Sequence, residues 1–341
     1  MKTRIGLLLL ALVVAAGWMK AQVPQVTPLT QKEVVDLLKG KGGPQQAAVE
    51  INQRGVDFEL TPDIEKKLRK AKADDAFINL VKDASPQARA ARAELGGAYV
   101  PSPAENQAFR SIQDELVPEK ALQLVEEFVK TYPKSMYLSY AYVFGANACQ
   151  QKGDLAQVLV YLDKSLEANP DNIPSLIMKA TLLPQPQMLK GGDDVKVKRL
   201  TGAEEAANKA LKLIEQLPKN PQETDEGFAK RKAMLATGAH AALGMTHLQR
   251  ALMGLEGPDK GELAKAEQEY RTAVTSVDNP TPDDFFRLGE TLVIENKLPQ
   301  ALAAFTKASE LGAGIGLKAY ADQRIEEIKK KNPQVQSAPQ P

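Results

Sequence analysis

The stretch KGDLAQVLVYLDKSLEANPDN, residues 152–172, decides how the rest of the chain is read. A Gly153-Asp154 turn opens it, and Leu155, Val158, Leu159, Leu162 and Leu166 recur at the spacing of one helical face. Asn169-Pro170 closes it, because a residue that precedes proline is pushed out of the α region. One short amphipathic helix buries little and implies nothing about function. A series of them implies an array.

The pattern recurs. The helix pair around the stretch carries Tyr142, Gly145, Ala146 and Cys149 on its first helix, then Val158, Leu162, Ser165 and Leu166 on its second, with Pro170 beyond. These spacings resemble the tetratricopeptide repeat, a helix–turn–helix unit of about 34 residues. In that family small residues let the two helices approach, large ones fill the gap, and proline breaks the chain before the next unit. The segment 282–314 keeps Phe285, Leu288, Gly289, Leu292, Ala301, Phe305 and Ala308 in the same register, with Pro299 in the first turn of its second helix. The segment 102–133 places Phe109, Ile112, Ala121, Val125 and Pro133 similarly, and Ser102-Pro103-Ala104-Glu105 reads as a capping box.

Two central units are irregular. Ile173 to Leu183 reads as a first helix whose partner follows only after a loop at 184–200. That partner is expected to open with a second capping box, Thr201-Gly202-Ala203-Glu204, and to run to about Leu217. A long first helix at 226–255 follows, with Leu243 and Gly244 at core positions, then a GPDKGE turn and a second helix matched by Ala266, Tyr270 and Ala273. The more charged KAYADQRIEEIKKK, 318–331, suits a helix that covers the open apolar end of a stacked array.

The fold expected is all-α: a tetratricopeptide-like solenoid of helical hairpins over 102–314, a capping helix over 315–330, and a Pro- and Gln-rich disordered tail over 331–341. A small helical domain over 24–95 precedes it, joined by a linker at 96–101. That domain is internally duplicated. LTQKEVVDLLKG at 29–40 aligns with LTPDIEKKLRKA at 60–71, with Thr30 and Thr61 as N-caps and short second helices at AAVEIN and AFINLV. Its Gly-rich KGKGG is a helix stop rather than a phosphate cradle, since no apolar strand precedes it and proline follows.

Composition is that of a soluble helical protein. Hydrophobic residues are 43%, charged residues 26% and aromatics 5%, and 44 basic residues balance 43 acidic ones. A net charge of +1 offers no electrostatic footprint for nucleic acid. Met1-Lys2-Thr3-Arg4 precedes an apolar run from Ile5 to Trp18, too short for a comfortable membrane span and right for a secretory signal. A signal peptide over 1–21 is expected, cut after Gly17 or Ala21, so the protein is read as exported, periplasmic or secreted. An uncleaved anchor at the envelope is the alternative, and a membrane is a partner only in that case. Cutting after Ala21 would remove Lys2, Arg4 and Lys20 and change the net charge from +1 to −2. With Cys149 as the single cysteine, no intrachain disulfide is possible.

No catalytic constellation, metal site or cofactor site is expected. His240 and His247 share a helical face but stand about 10 Å apart along the axis, too far for one metal held by one helix. Both fall at packing positions of the repeat. Gly312 to Gly316, GAGIG, lies between helices and lacks the ending of a phosphate loop.

What remains is surface. In the family that the repeats resemble, the first helices of successive units line a groove that holds peptides or partner helices. Carried over, the groove positions are Asn106, Arg110 and Gln113 in the first unit and Tyr140, Asn147, Gln150 and Gln151 in the second, with Gln249, Phe286 and Glu290 further on. The subset that clamps a C-terminal carboxylate uses Lys and Asn one turn apart; Asn106 and Arg110 stand at those places here. The resemblance therefore implies a non-catalytic protein-interaction module, with Tyr140 and Phe286 as anchors for a protein or peptide partner, and the N-terminal apolar run adds export to that expectation. The alternative is a structural subunit of an envelope complex that self-associates through its N-terminal helical domain.

Overall fold

The computed structural model describes residues 27–88, 101, 103–220, 223–277, 280–314 and 316–335. The expected signal peptide over 1–21 and most of the expected linker lie outside them. The named elements are all helices: α1 (Gln31–Lys39), α2 (Gly43–Arg54), α3 (Pro62–Lys70), α4 (Asp75–Asp83), α5 (Pro103–Asp114), α6 (Pro118–Thr131), α7 (Leu138–Gln151), α8 (Leu155–Ala168), α9 (Ile173–Leu182), α10 (Asp193–Glu215), α11 (Asp225–Ala251), α12 (Lys260–Thr275), α13 (Pro282–Ile294), α14 (Leu298–Leu311) and α15 (Leu317–Lys331). The described residues divide into two compact units, 27–168 and 169–335.

In the first unit the duplicated motif forms four short helices, of which α1 and α2 pack as a hairpin. Helix α3 packs against α1 and α4 against α2 rather than against each other, so the second copy does not close into a hairpin of its own. Thr30 closes a capping box: its hydroxyl oxygen accepts from the Glu33 amide at 3.2 Å, and the Glu33 carboxylate accepts from the Thr30 amide at 2.7 Å. Thr61 accepts from the Ile64 amide at the equivalent place. Leu29, Val34, Ile51, Val56, Leu68 and Val81 are fully buried in a core of this region's own. One feature not legible in the helical periodicity is a single parallel bridge between Leu29 and Val56. The Leu29 amide donates to Gly55 O at 2.9 Å and the Asp57 amide to Leu29 O at 3.0 Å, while the Val56 amide donates to Ala84 O at 3.2 Å. The bridge thus ties the entry of α1 to the ends of α2 and α4.

Three of the larger hairpins, α7–α8, α11–α12 and α13–α14, share one packing device. A methyl group built on Gly145 of α7 would lie 2.7 Å from the Tyr161 ring of α8; on Gly244 of α11, 2.9 Å from the Tyr270 ring of α12; and on Gly289 of α13, 2.7 Å from the Phe305 ring of α14. Each first helix presents a bare backbone to an aromatic ring of its partner, so the axes come closer than any side chain would allow. This is the small-against-large pairing that the repeat resemblance implies, and it occurs in both units. Consecutive helices pack in sequence order within each unit: α5 to α8 in the first, α9 to α15 in the second.

The turns follow local chemistry. Gly153 takes a left-handed φ of 75° after α7, and the Asp154 carboxylate accepts from the Gln157 amide at 3.1 Å as α8 begins. Asn172 caps α9 by accepting from the Ser175 amide at 3.0 Å. At the far end Leu317, Ala321 and Ile328 of α15 are buried and its opposite face is charged, as suits a covering helix.

Three expectations are corrected. Thr201 does not cap a helix. α10 starts earlier, at Asp193, behind an extended Gly192, because Asp193 and Asp194 sit favourably at the positive end of the helix and no breaker follows before Thr201. Thr201 is therefore interior, and Glu204 reaches Arg250 of α11 at 2.5 Å instead of folding back. The irregular segment shrinks accordingly to 183–192, and Met188 is buried within it. The tail also begins later than 331: Val335 packs against the last hairpin's core, and 336–341 lie outside the described residues. As for the first capping box, Ser102 is not described, and the Glu105 carboxylate accepts from the Ser135 hydroxyl.

Gly289→Val is expected to destabilise the protein by about 1–3 kcal/mol, because the Phe305 ring must move to admit the side chain. Urea unfolding followed by helix content measures it; a change within experimental error would mean that the seam yields freely.

Candidate protein-interaction surface

The sequence-predicted groove residues fall into two sets, seven in the first unit and three in the second. In the first unit Asn106, Arg110 and Gln113 follow one another along one face of α5, all half-buried. Their support comes from the turn into α7. Tyr137 is buried, stacks on Phe109 with ring centroids 4.6 Å apart, and donates its hydroxyl to Asn106 Oδ1 at 2.7 Å. The Ser135 hydroxyl oxygen accepts from the Tyr137 amide at 3.0 Å. Burial pushes the Tyr137 phenol up to about 12, with the Glu105 carboxylate adding and Arg110 opposing. It therefore remains a neutral donor that fixes the Asn106 amide.

Two donors on this face lack acceptors. The amide nitrogens of Asn106 and Gln113 are shielded from solvent and have no hydrogen-bond partner among the described residues. A shielded donor left unmatched costs about 1–3 kcal/mol. Between them Arg110 forms no ion pair among the described residues. On α7, Tyr140, Asn147 and Gln150 are half-buried and Gln151 is exposed. Tyr140 and Asn147 each hold an interaction of their own.

The second unit differs. Arg287 of α13 donates to Asp283 at 2.7 Å and to Met245 Sδ of α11 at 3.4 Å, and the Gln249 amide nitrogen lies 3.9 Å from the same sulfur. Glu290 accepts from Arg324 of α15 at 2.5 Å. Arg324 also bonds Glu327 at 2.6 Å and lies over the Phe305 ring. Burial opposes the Arg324 charge, and the two carboxylates more than offset it. Phe286 is half-buried and packs edge-on against Phe305 of its own hairpin, 5.3 Å between centroids. Gln249, Phe286 and Glu290 are thus committed to contacts inside the unit.

Arg324 and Tyr137 were missed by sequence reasoning. Arg324 follows Glu290 by 34 residues, one repeat length, so an opposite-charge comparison at that period would have found the pair. Tyr137 lies in a turn outside the helical template and carries no such signal.

The two histidines occupy the α11–α12 seam, and both are partnered. His240 Nδ1 lies 2.6 Å from Glu269 Oε2 and His247 Nδ1 lies 2.8 Å from Glu262 Oε2. Burial alone would raise the Glu262 carboxyl, but Lys265 and His247 hold it below its ordinary value. Burial pushes the Cys149 thiol up, away from the reactive thiolate. Among the described residues no group of three or more His, Cys, Asp or Glu could hold a metal ion, and no helix is long and apolar enough to cross a membrane.

No family model matches the chain, and no curated protein matches it. Among solved structures, a thermophilic tetratricopeptide-repeat protein of Thermus thermophilus is similar at 18% identity, with a TM-score of 0.42, over 66% of this chain and 95% of that one.

Arg324→Ala is expected to lower stability by at most about 1 kcal/mol, since its ion pairs with Glu290 and Glu327 are partly exposed. Thermal unfolding at low and high salt measures it. A much larger loss would show that the pair, rather than apolar burial, holds α15 in place.

Proposed function

We propose that this protein is an exported, non-catalytic interaction module that binds a protein or peptide partner on the face formed by α5 and α7. The observation that carries the reading is the uncommitted cation on α5: Arg110 is half-buried and forms no ion pair among the described residues, while the Asn106 and Gln113 amides beside it are shielded and only frame it. A partner that brings a carbonyl or carboxylate oxygen supplies what Arg110 lacks, and Tyr140 offers apolar contact on the same face. Rigid hairpins hold the face, which keeps the ordering cost of binding low. The second unit, with its first-helix contacts already made, acts as structural support. Export rests on the apolar run at Ile5 to Trp18 and its small-residue flanks.

The test is capture from an envelope extract with the full chain, repeated with Arg110→Ala and with Arg287→Ala. The reading expects Arg110→Ala to weaken recovery of the same partner at least tenfold, about 1.4 kcal/mol, and Arg287→Ala to leave it unchanged. Loss with Arg287→Ala alone would move the interface to the second unit. Recovery of only more of this protein would favour self-assembly. N-terminal sequencing of the exported chain should begin at Trp18 or Gln22.

A further inference from the structure

The seam between α12 and α13 holds an unusual set of buried polar groups. Asp284, in the first turn of α13, is buried, with 6% of its surface exposed. The Thr281 hydroxyl donates to Asp284 Oδ2 at 2.7 Å, but no ion pair is formed with a cation among the described residues. The nearest guanidinium, Arg287, is directed to Asp283 and to Met245 Sδ instead. Across the seam Tyr270 of α12 is fully buried, and its hydroxyl has no hydrogen-bond partner among the described residues. Tyr270 belongs to an apolar cluster with Phe285 and Leu288 of α13, and Phe285 adjoins Asp284 in the chain. A buried carboxylate that forms no ion pair and whose side-chain partner is the Thr281 hydroxyl is poorly solvated when ionised and well accommodated when protonated.

We propose that this seam is a proton-operated joint, in which protonation of Asp284 tightens the start of α13 against α12 and ionisation loosens it. The charged groups that act on Asp284 are Asp283 and Arg287 on α13 itself, and across the seam the Tyr270 phenol of α12 feels the Asp284 charge. α11 contributes the uncharged Met245 to Arg287, and Arg324 of α15 is engaged further along at Glu290. Burial pushes the Asp284 carboxyl up to about 6; the Thr281 hydrogen bond opposes this, Asp283 adds to it and Arg287 opposes it. Burial also raises the Tyr270 phenol, so it stays neutral throughout the relevant range.

The sign follows from which state holds the proton. Below the ordinary carboxyl range, both folded and unfolded chains are protonated and the site contributes nothing. Between about 4 and 6 the unfolded chain ionises while the folded one keeps its proton, so stability falls as pH rises. Above about 6 the loss is complete. Carboxylates held low elsewhere, such as Glu33 and Glu327, act in the opposite direction, so the joint is visible only as a difference between two chains.

The experiment compares the full chain with Asp284→Asn by thermal unfolding from pH 4.5 to 7.5. The joint predicts that the variant melts several degrees higher at pH 7.5 and that the gap closes towards pH 4.5. A gap that does not change with pH, or a variant less stable at both ends, would overturn it. Because the variant itself depends on correct folding, the carboxyl carbon of Asp284 is also titrated by NMR in the unmodified chain. A midpoint well above 4 supports the joint, and one at or below 4 sinks it. Neither measurement depends on what the α5–α7 face binds.

Discussion

The close approach of paired helices, set by glycine against an aromatic ring, is the constraint on which the rest of the structure depends. At Gly145, Gly244 and Gly289 the backbone of one helix lies against Tyr161, Tyr270 or Phe305 of the next. That contact fixes the distance between the two axes, and with it which residues point into the seam and which point away. Small buried residues such as Ala146, Ala266 and Ala301 continue the same seams, so little apolar volume is needed to close them. A chain with 5% aromatic residues can close these seams because three of its rings, Tyr161, Tyr270 and Phe305, fill the gaps that the glycines leave.

With the seams fixed, the outward faces of the first helices become available for other work, and the two units treat them differently. In the second unit the faces are joined by side chains: Arg287 to Met245, and Arg324 to Glu290. In the first, the Tyr137 hydroxyl orients Asn106, and Arg110 is left without a counter-charge among the described residues. Similar hairpins therefore present one first-helix face whose charges are paired and one that leaves Arg110 without an ion pair among the described residues. The proposed binding surface follows from that contrast rather than from the helical architecture, which unrelated binders share.

Much of the fold was legible in the sequence because it is written in local signals. Thr30 and Thr61 announced helix starts, Asn169-Pro170 announced a stop, and Gly289 with Phe305 announced a seam at the correct spacing. The failures have physical causes too. Thr201-Gly202-Ala203-Glu204 has the residues of a capping box, but a capping residue works only where a helix begins, and the acids at Asp193 and Asp194 begin it sooner. The Leu29–Val56 bridge is one residue long, beneath any periodic signal. At the candidate surface the backbone positions could be carried over from the repeat pattern, while the commitments of their side chains could not. Nothing local to Phe286 says that it meets Phe305, and nothing local to Asn106 says that Tyr137 holds it.

The most direct test of the central claim is amide hydrogen exchange of the full chain, alone and saturated with its captured partner. Binding on the proposed face predicts slowed exchange concentrated in residues 103–114 and 137–151, with the segments 282–294 and 317–331 unchanged. Protection confined to the second unit, or to the duplicated short helices at 29–84, would contradict it.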